Sequence, residues 1–214
     1  MSALLVSQHL APVTLPDESA QHDLFSTVME EIEGLNSKPE HLAAVKVNLT
    51  SSPVGPLLIG VQEKCIRFVH FTQMERLAEQ LMRLQQQLGK PFRHATHQLH
   101  EQLEAELEEY FARKRQAFSL PLKPIGTAFQ TRVWQGLQKI PYGKTWSYEQ
   151  LAIEIGQPTA SRAVGLANGA NPLAILIPCH RVVNKNGQMG GYGGGIWRKQ
   201  ILLDVEKAID VRAV

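Results

Sequence analysis

Residues 147–170 read SYEQLAIEIGQPTASRAVGLANGA, and this stretch decides the fold of the second half of the chain. Ser147 with Gln150 three positions on is the pattern of a capping box, in which two side chains satisfy backbone N–H groups reciprocally at a helix start. Tyr148, Leu151, Ala152 and Ile155 then share one face of a short helix, and Gly156 ends it. Pro158 and Thr159 open a second helix, Ala160 to Ala170, so the pair predicts a helix-turn-helix. Ala and Gly dominate the second helix, whereas a helix that reads the major groove carries polar side chains. Glycine costs about 1 kcal/mol relative to alanine inside a helix. Gly165 and Gly169 therefore mark a backbone that something approaches closely, either an external surface or a helix packed tightly within the protein. Arg162, the one charged side chain of this helix, lies in the first turn, where the dipole does not favour a cation. It is either a functional contact or a solvated surface arginine.

Outward from this motif, Phe129, Val133, Trp134 and Leu137 predict a further helix that stops before Pro141-Tyr142-Gly143. SLPLKPIG (119–126) interrupts both helix and strand and reads as a linker. Between residues 43 and 71, AAVKVNL, PLLIGV and CIRFVHF, separated by turn-rich SSPVG and by Gln62-Glu63-Lys64, predict a small antiparallel sheet. Met74, Leu77, Leu81, Leu84 and Leu88, and then Leu99, Leu103, Leu107, Tyr110 and Phe111, recur at helical spacing and predict two amphipathic helices. Residues 1–40 hold one short helix around His22–Gly34 and no sign of chemistry. The expected organisation is an extension (1–40), an α/β domain (41–118), a linker (119–126) and a mainly helical domain (127–214).

With 214 residues, 43% of them hydrophobic, the chain is large enough to bury a core. It carries no signal-peptide pattern and no long uncharged apolar run, so neither secretion nor membrane insertion is expected. Two cysteines in unlike contexts suit a reducing compartment and exclude a zinc site built on paired cysteines. The net charge of +2 hides an asymmetry: residues 1–118 carry 11 Lys+Arg against 15 Asp+Glu, and residues 119–214 carry 11 against 5. A basic half beside an acidic one fits a polyanionic partner, and equally an ordinary solvated surface.

The apolar run Ala174–Ile177 ends in Pro178-Cys179-His180-Arg181-Val182-Val183, a reactive cluster at the end of a buried segment. A thiol of ordinary pKa near 8.5 is mostly protonated at neutral pH, so Cys179 needs a basic neighbour to act as a nucleophile. Cys65, within EKCIRF, reads as an inert core residue.

IPCHRVV, together with GTAFQTRVW, IPYGKTWSYEQLA, SRAVG, ANPLAILIPCHRVV and GGYGGG, resembles the O6-alkylguanine-DNA alkyltransferases, also called methylated-DNA-protein-cysteine methyltransferases. The resemblance is specific from Gly126 to the last helix. Before that it is weak and rests mainly on SPVGPLLIGV. It implies an α/β protein with a ribonuclease H-like first domain and a second domain carrying a winged-helix-like helix-turn-helix.

By position, Cys179 corresponds to the alkyl acceptor, and His180 and Glu206 to the pair that relays the thiol proton through a water. Asn171 matches the asparagine that ties the helix-turn-helix to the active-site segment. Tyr148 matches the tyrosine that displaces the 3′ phosphate and supports departure of the guanine, and Arg162 the finger that replaces the extruded nucleotide. Ala160, Ser161 and Gly165 fall on the DNA-facing part of the small-residue helix, which the family lays in the minor groove. Val182, Tyr192, Gly193 and Gly194 correspond to the base pocket.

Two positions depart from the pattern: Leu166 stands where relatives carry a smaller residue, and Gly193 where some carry serine. The resemblance implies a monomer acting on double-stranded DNA that contains O6-alkylguanine, with O4-alkylthymine left open. It implies no cofactor, metal or membrane, and a cytoplasmic location, nucleoid-associated in a bacterium. A helix-turn-helix regulator without transfer activity would share the charge and the motif but have no use for IPCHRVV. A cysteine hydrolase would use Cys179 and a histidine, yet the chain shows neither a separate orienting Asn/Asp nor a nucleophile elbow.

Overall fold

The computed structural model describes residues 44–72 and 77–207 together with Ser26, Thr27 and Glu30. Apart from those three residues, the helix expected around His22–Gly34 lies outside the described residues, as does the Met74 start of the next helix. The three expected strands are present as β1 (Val45–Thr50), β2 (Leu57–Gln62) and β3 (Cys65–Phe71), paired antiparallel in sequence order. They are followed by α1 (Leu77–Leu88), β4 (Phe92–His94) and α2 (Gln98–Phe111).

The sheet order is β3-β2-β1-β4, and β4 runs parallel to β1. The sheet is therefore mixed, which corrects the purely antiparallel one expected. A three-residue strand is too short for alternating hydrophobicity to register in sequence. Cys65 opens β3 and is only half-buried, so it is not the core residue expected.

Apolar residues on both faces of β2 leave the sheet buried on both sides. Val45, Val47, Leu58, Phe68 and Phe92 pack with Leu77, Leu81 and Leu84 of α1. On the other side Leu57, Ile59 and Phe71 join Leu103, Leu107 and Tyr110 of α2 in a cluster that continues without a break into the second half.

There α3 (Ala128–Leu137) contributes Val133, Trp134 and Leu137 to that cluster, after a capping box between Thr127 and Gln130. The next elements are β5 (Trp146–Ser147), α4 (Tyr148–Glu154) and α5 (Ser161–Gly169). A 3-10 turn at Cys179–Arg181, β6 (Val182–Val183) and α6 (Ile196–Val205) complete the fold. The Ser147 capping box forms, with Ser147 N–H on Gln150 Oε1 at 2.6 Å and Gln150 N–H on Ser147 Oγ at 3.0 Å. Gly156 adopts φ +72° just after α4, the left-handed geometry of a helix-ending glycine.

The outer edge of β3 positions the rest. Ile66 N–H donates to Pro121 O (2.9 Å) and Ile66 O accepts from Lys123 N–H (3.0 Å), which ties the 119–126 stretch to the sheet. Further along, Val69 N–H donates to Pro172 O (2.8 Å) and Val69 O accepts from Ala174 N–H (3.1 Å). The segment leading to Cys179 is thereby added to the sheet edge, which it also covers. Ile175, in the same segment, is held at φ +70°, a strained region for a β-branched residue.

Gly60 of β2 lies under the ring of Phe68, and a Cβ there would stand 2.1 Å from Phe68 Cε1. That ring is fully buried and packs on Phe92 at 5.3 Å between centroids, so it has little room to yield. Gly60→Ala is expected to destabilise the fold by about 1–3 kcal/mol, read from the urea midpoint at unchanged slope. A loss within about 0.5 kcal/mol, typical of neutral surface changes, would show that the ring shifts freely.

Candidate active site

Cys179 begins the 3-10 turn that follows the edge-pairing segment, and it is buried. Its Sγ accepts a hydrogen bond from Asn171 Nδ2 at 3.2 Å. The same amide holds the segment's own backbone, donating to Ile177 O (2.9 Å) and accepting from Leu173 N–H (3.0 Å). Asn171 therefore joins the end of the helix-turn-helix to the thiol. Burial pushes the thiol pKa up, and Asn171, the Lys199 charge and the nearby Tyr192 hydroxyl counter this only in part. At rest the sulfur is a protonated thiol and needs a base.

His180 is fully buried and is held from its Nε2 side. Its Nε2 meets Glu206 Oε1 at 2.9 Å, while its buried Nδ1 has no hydrogen-bond partner. Burial lowers the imidazole pKa, with Glu206 opposing, so the ring is neutral at pH 7. The bond to the carboxylate places the proton on Nε2 and leaves Nδ1 as an acceptor.

Glu206, at the end of α6, is the most heavily bonded group in the site. Oε1 also accepts from Tyr110 Oη (2.7 Å) and Arg181 Nη2 (2.9 Å), and Oε2 from Arg181 Nε (2.8 Å) and Gly143 N–H (3.2 Å). Burial alone would raise its pKa, but the hydrogen bonds and charges of His180 and Arg181 outweigh that and hold it at about 2. Glu206 is thus a permanent anion that orients and stabilises; it does not take the proton itself.

A cavity of about 830 Å³ opens above the thiol, lined by Tyr148, Asn171, Tyr192, Gly193 and Gly194 among others, with Leu166 on its α5 side. Val182 does not line it; its carbonyl accepts from Lys199 Nζ at 2.6 Å. Ala160, Ser161 and Arg162, at the start of α5, also lie outside its walls. The helix glycines do not serve close internal packing: a Cβ on Gly165 would meet the Tyr148 ring at an ordinary 3.7 Å, and one on Gly169 would meet nothing within 4 Å.

Four residues that sequence reasoning did not single out belong to this arrangement. Lys199 is fully buried, donates to the carbonyls of Val182 and Met189, and is lowered to about 8 by burial while Cys179 raises it. Arg198 holds the glycine-rich wall to the first half, with Nε on Val54 O and Nη1 on Gly194 O, both at 2.7 Å. Tyr110 and Arg181 complete the Glu206 network. Lys199 and Arg198 sit on a helix where basic residues read as surface, and Tyr110 counted as an apolar position of α2; the side Arg181 faces is set only by the turn. Among the described residues, no group of three or more His, Cys, Asp or Glu is placed to hold a metal ion.

Fold and site define a protein that does its chemistry on one thiol lying directly behind a helix-turn-helix. Comparison with known proteins narrows the class. Residues 45–124 match the family description "6-O-methylguanine DNA methyltransferase, ribonuclease-like domain" and residues 128–208 match "6-O-methylguanine DNA methyltransferase, DNA binding domain". A methylated-DNA-protein-cysteine methyltransferase of Methanosarcina barkeri is 41% identical over 160 residues, covering 75% of this chain and 96% of that protein. One from Mycobacterium tuberculosis is 54% identical over 103 residues, covering 48% and 62%. The structure of Mycobacterium tuberculosis OGT in complex with DNA superimposes with a TM-score of 0.66 at 38% identity, covering 76% of this chain and 93% of that one. The chain belongs to the methylated-DNA-protein-cysteine methyltransferase family.

The Glu206 network carries a signed pH dependence. Its folded pKa of about 2 lies below the ordinary 4.5, so the stability it contributes is full above that ordinary value and is lost as pH falls toward 2. Glu206→Gln is expected to cost more stability at pH 6 than at pH 3, where the unfolded carboxyl is already protonated and part of the advantage of the ionised native group is gone. Equal costs at the two pH values in urea unfolding would mean that the carboxylate is not the ionised centre of the network.

Proposed function

We propose that the protein repairs alkylated DNA by moving an alkyl group from O6 of guanine to Cys179, irreversibly and once per molecule. The observation that carries this reading is the division of labour at the turn: a protonated thiol faces the cavity, and the next residue presents a free imidazole Nδ1 backed by an ionised carboxylate. In the reaction the thiol proton passes through a water to His180 Nδ1. Sγ attacks the alkyl carbon in line, the S–C bond forms as the C–O6 bond breaks, and the electron pair leaves on the guanine. The imidazolium formed is stabilised by Glu206, and its proton returns through solvent to the departing base. Thiol and alkylguanine become thioether and guanine, so the balance closes without a cofactor or a metal.

Asn171 holds the sulfur toward the cavity, and Tyr148, at the cavity wall, donates a hydrogen bond to the leaving base. Tyr192, Gly193 and Gly194 form the base pocket, and Gly193 leaves its wall without a side chain. The DNA partner is double-stranded and is met in the minor groove by α5, with Ala160, Ser161 and Gly165 allowing close approach and Arg162 filling the place of the extruded nucleotide. We take 41–118 and 127–214 as the two domains, joined by 119–126, and the acting species as a monomer in the cytoplasm. No helix among the described residues is long and apolar enough to cross a membrane.

Incubation with excess O6-methylguanine duplex should add one CH2 to the peptide containing Cys179 and then stop; Cys179→Ser should bind the duplex and remain unmodified. Continued turnover, or label on Cys65, refutes the assignment.

Extrusion of a base from the stack costs a few kcal/mol. If Arg162 fills the gap, Arg162→Ala should slow transfer from duplex by about one to two orders of magnitude, at roughly 1.4 kcal/mol per decade. Free O6-benzylguanine should be affected far less. Equal slowing of both substrates would assign the arginine to the fold or the pocket.

A further inference from the structure

Helix α5 divides cleanly into two sides. Val164, Ala167 and Asn168 are buried, while Arg162, Ala163, Leu166, Gly169 and Ala170 are exposed. Among the exposed residues only Leu166 has a large apolar side chain. At 74% exposure it exceeds every other large hydrophobic side chain among the described residues, the next being Ile153 at 59%. Leu166 also lines the cavity above Cys179, whereas Ile153, Ile196 and Met82 do not. Helix geometry sets Leu166 four residues from Arg162, so the two side chains neighbour each other on one face, with Leu166 nearer the cavity. Around it Ala163, Gly169 and Ala170 offer almost no relief, and the leucine stands out from a nearly smooth surface. A partner seated over the mouth of the site removes the apolar area of this side chain from water, which favours the covered state.

We propose that Leu166 is an apolar wedge that enters the minor groove beside the lesion and works with Arg162 to keep the nucleotide extruded. The inference rests on the repair reading above. Apolar side chains pushed between base steps from the minor groove unstack them and bend the duplex. Here the leucine presses on the edges of the stack between the vacated position and the cavity that receives the base. It makes no ionic contact, so it favours the opened duplex through shape and desolvation, and it adds nothing for a base already free of the stack.

The readout is the ratio of single-turnover rates on an O6-methylguanine duplex and on the same lesion strand alone. Leu166→Ala retains a strong helix former at an exposed position and should lower this ratio about tenfold. Leu166→Met, which restores apolar length, should recover most of it. An unchanged ratio in Leu166→Ala overturns the wedge, whether both rates stay at the wild-type value or fall together. A wild-type protein that takes no alkyl group from either form of DNA would overturn the repair reading itself, an outcome distinct from a failed wedge in an active protein.

Discussion

The buried carboxylate of Glu206 is the constraint on which the site depends. An ionised group at 2% exposure is tolerable only if its lone pairs are filled, and five donors fill them. Those donors come from α2, from the Pro141–Gly143 turn and from the two residues after Cys179. One charge thus fixes the imidazole tautomer, the direction of the Arg181 fork and the docking of the last helix. Tyr110 brings the first half of the chain directly into the reaction centre, since its hydroxyl competes for the same oxygen that His180 uses. Removal of any one donor leaves the others around a less well satisfied buried charge, so the network stands or falls together.

The thiol is handled by a different principle. It is not made a standing thiolate; burial keeps it protonated, while Asn171 and Lys199 partly lower the cost of ionisation. A thiol of this kind is protected from solvent reagents and becomes nucleophilic when a base is engaged. That suits the single transfer proposed for Cys179. Delivery of the cysteine to this position depends on the sheet, because Pro172 and Ala174 are bonded to Val69 at the edge of β3. The left-handed backbone at Ile175 is the cost of turning the chain from that edge into the site.

Sheet and helix-turn-helix therefore cooperate across a continuous core, and the 119–126 stretch between them is bonded along the same strand edge. Asn171 and Arg198 bridge the remaining gaps, one from the end of α5 to the sulfur, the other from the glycine-rich wall to Val54. The glycines of α5 are left free of internal packing demands, as the close approach proposed for this helix requires.

Local patterns were legible in the sequence alone. The capping box at Ser147, the helical spacing in α1 to α4, the three longer strands and the Cys179-His180 cluster all rest on interactions within a few residues, and family resemblance extended these to Glu206, Asn171 and Tyr148. What only the tertiary structure decided rests on contacts far apart in the chain. Parallel pairing of the three-residue β4, the two-residue pairing of β5 with β6, the burial of Lys199 and the reach of Tyr110 to Glu206 leave no periodic trace, because each depends on where a distant segment folds back. The glycines of α5 show the division well: their composition announced close approach, but only the open space beside Gly169 and the ordinary contact beside Gly165 excluded internal packing as its cause.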